Sequence, residues 1–394
     1  MAIYFDNAAT SWPKPPAVRA ALDEYFSDAG GNPGRSGHRM SIAAARLVEG
    51  SREVLAEFFN AEDPSHIVFT QNATHAINIA LYGLVRPGDH VVTTTTEHNS
   101  VMRPLRHLTM SGIELTVVLC RRDGTLDINR LNDALRLDTR LLVTTHGSNV
   151  TGTLFPIEAI AALARARNVR YLVDAAQTAG AIPIDIQEIS VDLLAFSGHK
   201  GLLGPTGTGG LYIREGVLLS PLMRGGTGSD SAHEVQPEFM PDIHESGTLN
   251  VAGIAGLGAG VRFLREIGVH SVRAHEQDLV SQLMAGLAEI PGITTYGPRD
   301  ASLQCGVVSF NVDGAMPSEV GLILEEQFGI MARTGLHCAP SAHRTLDTFP
   351  TGAVRFSFGW FNTAAEVAVA LEALRKIAGW AKSAPREEAR IWTA

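Results

Sequence analysis

Between residues 67 and 213 the chain repeats one pattern, a short apolar run followed in most cases by a stretch with helical spacing. The runs fall at residues 67–70, 90–94, 114–118, 141–145, 170–173, 193–196 and 209–213. A strand that is apolar along its whole length has both faces buried, whereas a half-exposed strand alternates. Buried strands that alternate with helices build a sheet covered on both sides. The pattern predicts an α/β fold around a mainly parallel seven-stranded sheet. Ligands of such sheets sit at the carboxyl ends of the strands, so the residues just after each run are the candidates for chemistry.

The flanking segments read differently. Residues 1–37 are rich in Gly, Pro and Asn, as in Gly30-Gly31-Asn32-Pro33-Gly34, and read as an extended arm with turns. Residues 41–59 have helical spacing, with Val54, Leu55 and Phe58 on one face. Beyond about residue 260 come a helical stretch at 261–290, a strand at 306–311, a helix at 317–328 and a final helix. The final helix opens on Thr363-x-x-Glu366, the pattern of a capping box, and its apolar face carries Val367, Leu371 and Leu374. This part reads as a smaller α+β domain. A chain of 394 residues is long enough for two cores. The expected division is a large domain at 15–260 and a small one made of 1–14 with 261–394.

The net charge of -9 and the absence of a basic patch argue against nucleic acid as a partner. No apolar run is long enough to span a membrane. With no signal-peptide pattern at the start, a cytosolic location is expected. Cys120, Cys305 and Cys338 are far apart and form no C-x-x-C pair, which argues against a disulfide framework or a cysteine-rich zinc site, and no metal is expected.

Lys200 follows the run at 193–196, within Ser197-Gly198-His199-Lys200-Gly201. A lysine at a strand's carboxyl end, among small residues, can form a Schiff base with an aldehyde cofactor. Taken alone, such a lysine is more often an exposed charge. Asp174 and Gln177 follow the preceding run. Pyridoxal phosphate needs a carboxylate against its ring nitrogen, which Asp174 could supply, with Gln177 on the phenolic oxygen. Asp174 also fits a plain helix cap. Ala73 and Thr74 open a helix after the first run, where backbone N–H groups and a hydroxyl make an anion site. Thr74 is also an ordinary helix-start residue. Ser197 and His199 could reach the same phosphate. His98, in Glu97-His98-Asn99-Ser100, could stack on a cofactor ring and move protons, or be structural.

Together and in this order, these pieces resemble the class V aminotransferase family of fold-type I pyridoxal-phosphate enzymes, and within it the cysteine desulfurases and selenocysteine lyases. The resemblance covers nearly the whole chain. It includes Tyr4-Phe5-Asp6-Asn7-Ala8-Ala9-Thr10, Ser148-Asn149-Val150-Thr151-Gly152-Thr153, Val173-Asp174-Ala175-Ala176-Gln177 and Glu245-Ser246-Gly247-Thr248-Leu249-Asn250. It implies that Lys200 holds the cofactor and that Asp174, Gln177 and His98 contact its ring. It implies that Thr74, Ala73, Ser197 and His199 bind its phosphate, with Thr248 reaching across from the partner in a homodimer. Asn149 and Arg355 would hold the substrate carboxylate, and Arg333 and His38 would line the substrate site. A guanidinium suits that task because it binds carboxylates bidentately.

Arg333-Thr334-Gly335-Leu336-His337-Cys338-Ala339-Pro340 resembles the R-x-G-x-H-C motif of the desulfurases, whose cysteine becomes a persulfide. The resemblance implies that L-cysteine takes the place of Lys200, that Lys200 moves its α-proton, and that Cys338 attacks its sulfur and alanine leaves. A free cysteine is otherwise a small buried hydrophobe, a description that suits Cys120 and Cys305 better. Few residues separate the motif from Thr348-Phe349-Pro350, so the cysteine loop is short, as in the members that depend on a sulfur-acceptor protein. Leu336 and Ala339-Pro340 depart from the scaffold-feeding members that serve iron–sulfur cluster assembly. His343 has no assigned role. Selenocysteine lyase, cysteine sulfinate desulfinase and aminotransferase activities share the same apparatus and stay open, as does a binding protein without catalysis.

Overall fold

The computed structural model describes residues 2–34, 37–230 and 232–383. A short strand β1 (Ile3–Tyr4) leads the chain. The seven runs then form β2 (Ile67–Thr70), β3 (His90–Thr94), β4 (Glu114–Val118), β5 (Thr139–Thr145), β6 (Arg170–Asp174), β7 (Leu193–Ser197) and β8 (Gly209–Ile213). They make one sheet in the order β2-β8-β7-β6-β5-β3-β4. Every pairing from β7 through β4 is parallel, and β8 runs antiparallel to both β2 and β7. The sheet is the mainly parallel seven-stranded one that the pattern predicted. Strands β3 and β7 are buried along their full length, and β5 at all but Arg140, because helices cover both faces.

The rest of the chain carries β9 (Ile293–Tyr296), β10 (Val307–Val312), β11 (Ile330–Met331), β12 (Arg333–Gly335) and β13 (Ala353–Ser357). An antiparallel sheet in the order β12-β13-β10-β9 packs beside the helices Val269–Ala288, Pro317–Phe328 and Ala364–Ser383. The β1 strand pairs with β11 in parallel, so the N-terminus is woven into this second layer. Phe5 packs against Phe356 and Phe358, with ring centroids 5.2 and 5.0 Å away.

Two expectations need correction. The arm at 1–37 contains a helix, Pro16–Asp28. Its signals are a proline in the first turn and the apolar Val18 and Ala21, which pack on Ala255 and Ala259. The stretch at 261–290 is two helices, Val251–Ile267 and Val269–Ala288, broken at Gly268 with φ of 80°. Periodicity runs through that break, but a left-handed φ favours glycine and ends a helix.

Glycines bring the first of these helices against the segment that carries Lys200. A Cβ on Gly260 would lie 2.5 Å from the Leu202 carbonyl oxygen, and one on Gly201 would lie 2.6 Å from that of Ala179. A larger residue at Gly260 would force the helix away from the turn after Lys200, and one at Gly201 would force that turn away from the segment after β6. The expected capping box is present, with Glu366 accepting from the Thr363 N–H at 2.8 Å and Thr363 accepting from the Glu366 N–H at 3.3 Å.

Candidate active site

A cavity of about 50 Å³ opens at the carboxyl ends of β5, β6 and β7. Lys200, Asp174, Gln177 and His98 line it together with Ala73, Thr74, Ser197 and Asn149. Sequence positions from 73 to 200 converge there because parallel strands all end on one edge. Ser197 Oγ accepts a hydrogen bond from the Ala73 N–H at 3.2 Å, joining the end of β7 to the start of the helix Ala73–Leu84.

Asp174 ends β6 and is buried. One carboxyl oxygen accepts from the Ala176 N–H at 2.9 Å, so the local cap and the cavity-lining position coexist. The other receives only a long contact from Ser100 Oγ at 3.5 Å. Burial raises its pKa, while the Ala176 N–H and the Lys200 charge oppose the rise. A cation against the weakly paired oxygen would complete it. Burial pushes Lys200 down to about 8, so its amine is uncharged far more often than an exposed lysine's.

His98 caps the helix Asn99–Met110, and its Nδ1 accepts from the Ser100 N–H at 3.0 Å. That acceptance places the ring proton of the neutral imidazole on Nε2. Burial, then the charges of Lys200 and Arg355, holds it neutral with a pKa near 4. His199 has a buried Nδ1 without a hydrogen-bond partner among the described residues, and burial likewise lowers its pKa to about 4. The Gln177 amide donates to the Ala8 carbonyl at 3.2 Å.

The cysteine motif reaches this cavity through its main chain. Asn149 Nδ2 donates to the His337 carbonyl at 2.7 Å, and the Asn99 N–H donates to the Cys338 carbonyl at 2.8 Å. His337 and Cys338 both have left-handed backbones, with φ of 50° and 56°. Such strain in two consecutive residues other than glycine persists only where surrounding bonds enforce it. His337 is buried and Cys338 is exposed, while Cys120 and Cys305 are buried. Burial raises the pKa of both of those thiols.

Arg355 lies buried on β13, with Nη1 donating to the Asn149 carbonyl at 3.1 Å and Nη2 to Asp6 at 2.7 Å. Arg333 stands 3.7 Å from the other Asp6 oxygen. Asp6 therefore joins the two arginines, a role that sequence reasoning missed although the N-terminal motif contains the residue. Three other expected residues, His199, His38 and Thr248, are absent from the cavity's lining in this chain. His38 caps the helix Arg39–Phe59 on an exposed segment, accepting from the Ser41 N–H at 3.3 Å. Thr248 is exposed, beside Gln71 and His75. Its segment is anchored by Glu245, which forms a buried bidentate pair with Arg52 at 2.8 and 3.0 Å.

A seven-stranded sheet with a half-buried lysine and a buried carboxylate at its carboxyl edge defines a class of enzyme, and the comparisons agree. The family described as Aminotransferase class-V matches residues 3–369, and the chain belongs to it. Within that family its similarities are to cysteine desulfurases. A probable cysteine desulfurase of Methanothermobacter thermautotrophicus is 40% identical over 384 residues, covering 96% of this chain and 95% of the relative. One from Pyrococcus abyssi is 36% identical, covering 95% and 94%. The solved apo cysteine desulfurase of Thermococcus onnurineus superposes with a TM-score of 0.91 at 36% identity, covering 96% and 95%. These findings support the expected fold and an enzyme of the cysteine desulfurase type.

Proposed function

We propose that this chain is a pyridoxal-phosphate-dependent cysteine desulfurase in which Lys200 holds the cofactor and Cys338 receives the sulfur. The observation that carries the reading is the tie between the two. The cavity lined by Lys200, Asp174 and His98 also holds Asn149, whose amide grips the main chain next to Cys338.

The residues fit the cofactor. Asp174 lines the cavity and has a buried, underpaired oxygen for a protonated ring nitrogen. The helix that opens at Ala73 suits a phosphate. When bound, pyridoxal phosphate acts as an electron sink for the bond electrons of the substrate's α-carbon. Asp174 would keep the ring nitrogen protonated. Lys200 Nζ, whose pKa burial lowers to about 8, would remove the α-proton and return one later. Arg355 and Arg333 would attract the substrate carboxylate.

The Cys338 thiolate would attack the substrate's sulfur. A sulfur–sulfur bond forms, the carbon–sulfur bond breaks, and its electron pair stays with the carbon skeleton. With protons added, L-cysteine and the Cys338 thiol become L-alanine and a Cys338 persulfide, so the atoms balance. The exposure of Cys338 suits transfer of that sulfur to an acceptor. A homodimer, with the Thr248 segment reaching the partner's phosphate site, belongs to the same reading.

The test is stoichiometric. Protein loaded with cofactor and given L-cysteine should release alanine and reductant-labile sulfide in equal amounts. Cofactor binding without alanine from cysteine would overturn the desulfurase reading.

A further inference from the structure

Donors from the N-terminal arm converge on the main chain that carries Lys200. The His199 carbonyl oxygen has the Ser11 N–H at 3.0 Å, Thr10 Oγ1 at 3.1 Å, Ser11 Oγ at 3.2 Å and Lys14 Nζ at 2.9 Å. Ser11 Oγ is closer to the Lys200 carbonyl, at 2.9 Å, and accepts from Lys14 Nζ at 2.7 Å. A hydroxyl has one proton to give. It goes to the Lys200 carbonyl, and the other three donors hold that of His199. The two carbonyls on either side of the Lys200 Cα are therefore both fixed by residues 10–14.

Lys14 is the charged donor of the set. It is half-buried, and burial lowers its pKa to about 8. Below pH 8 it carries a proton, and a hydrogen bond from a charged donor is worth more than one from a neutral donor. The turn it holds is strained. The Lys200 carbonyl also accepts from the Leu203 N–H at 2.9 Å, and Leu203 has a left-handed backbone with φ of 61°. Such a conformation in a residue other than glycine persists only where its surroundings enforce it. The arm itself is anchored. The Asn7 amide donates to the Ser357 carbonyl at 3.1 Å, and the Tyr4 hydroxyl donates to the Thr10 carbonyl at 2.9 Å.

We propose that Lys14 is a positioning residue for Lys200, its ammonium closing a clamp of arm residues on the carbonyls that flank the Lys200 Cα. The proposal rests on the cofactor role given to Lys200 above and deepens it. That role requires the amine to bind the cofactor, leave it to move a proton and bind it again. The stem of a lysine is flexible, so the position of its Cα decides how well the amine meets the aldehyde. A misplacement of about 1 Å can cost about a hundredfold in such a reaction. Lys14 is absent from the lining of the cavity and acts through the main chain alone.

The test uses the full chain without cofactor, below pH 8, and two probes. Pyridoxal phosphate bonds to Lys200, and borohydride fixes the adduct for counting by mass spectrometry. Pyridoxamine phosphate has no aldehyde and reports only the ring and phosphate contacts. Lys14→Met should slow capture of pyridoxal phosphate about tenfold, the worth of a hydrogen bond from a charged donor. Binding of pyridoxamine phosphate should hold within about twofold. Lys14→Arg, which keeps a charged donor, should recover most of the loss. A lysine that only supports the fold would lower the denaturation midpoint and leave capture unchanged, or would weaken both probes alike, and either result overturns the proposal. Ser11→Ala removes the donor to the Lys200 carbonyl and carries the same expectations should Lys14→Met fail to fold. Hydrogen exchange on the same unloaded protein reads the clamp independently of the probes. The Leu203 N–H should exchange about tenfold faster in Lys14→Met, and an unchanged rate overturns the clamp. Should the wild type capture no pyridoxal phosphate, the proposed function fails and hydrogen exchange alone decides the clamp.

Discussion

Asn149 Nδ2 and the His337 carbonyl oxygen are 2.7 Å apart, and this one bond ties the loop after β5 to the turn that presents Cys338. The residue expected to bind a substrate carboxylate has its amide directed to the cysteine turn. Its main-chain carbonyl is also occupied, by Arg355. Asn149 thus connects the thiol and the guanidinium through one backbone segment.

Asn149→Ala should leave the buried His337 carbonyl without this donor, at a cost of about 1–3 kcal/mol. The expected result is a lower denaturation midpoint and slower sulfur transfer from cysteine, with cofactor retained. Urea titration and cofactor content check it. Unchanged sulfur transfer would detach Asn149 from the cysteine turn.

Lys200 gives a pH prediction. Its amine is nucleophilic when neutral, and burial lowers its pKa to about 8. Capture of added pyridoxal phosphate by unloaded protein, trapped by borohydride, should rise with pH and level off just above 8. A rise that continues towards the ordinary lysine value of 10.5 would contradict the buried setting.

Much of this was legible in the sequence. All seven central strands appear where apolar runs stand, because a strand buried on both faces leaves a continuous apolar signature. The residues just after β2, β3, β5, β6 and β7 do converge on one cavity. The second layer was harder. Strands β11 and β12 are two and three residues long, too short for a period to register. Neither Asp6 between two arginines nor the hold of Lys14 on the His199 carbonyl leaves a sequence signal, since contacts between distant segments follow only from packing. Lys200 and Cys338 stood out through the family motifs around them, since a lysine after a strand is a weak signal by itself and composition does not tell one cysteine from another.

Glu276 makes stability depend on pH. Burial raises its pKa from 4.5 to about 8. In the folded state it holds a proton that the unfolded chain releases above pH 4.5, so its contribution is full below 4.5 and is lost as pH rises through 8. Glu276→Gln should flatten the fall in stability between those values, measured by denaturation of unloaded protein. An identical pH slope in both proteins would refute this.

Arg52 and Glu245 form a buried pair, their side chains only 2% and 4% exposed. Removing one partner strands a charge, so Arg52→Met should cost about 3–5 kcal/mol. Adding Glu245→Leu should recover much of that loss, because no charge is then left buried. A double-mutant cycle by urea denaturation measures the coupling, and simple additivity would argue against it.

The most direct test of the account compares wild type with Cys338→Ala, each loaded with cofactor and given L-cysteine, by mass spectrometry of the protein and assay of alanine. The account predicts a sulfur adduct on Cys338 of the wild type. It predicts that the variant keeps bound cofactor but yields neither adduct nor alanine. Undiminished alanine from the variant, or an adduct on Cys120 or Cys305 instead, would contradict the claim that Cys338 receives the sulfur.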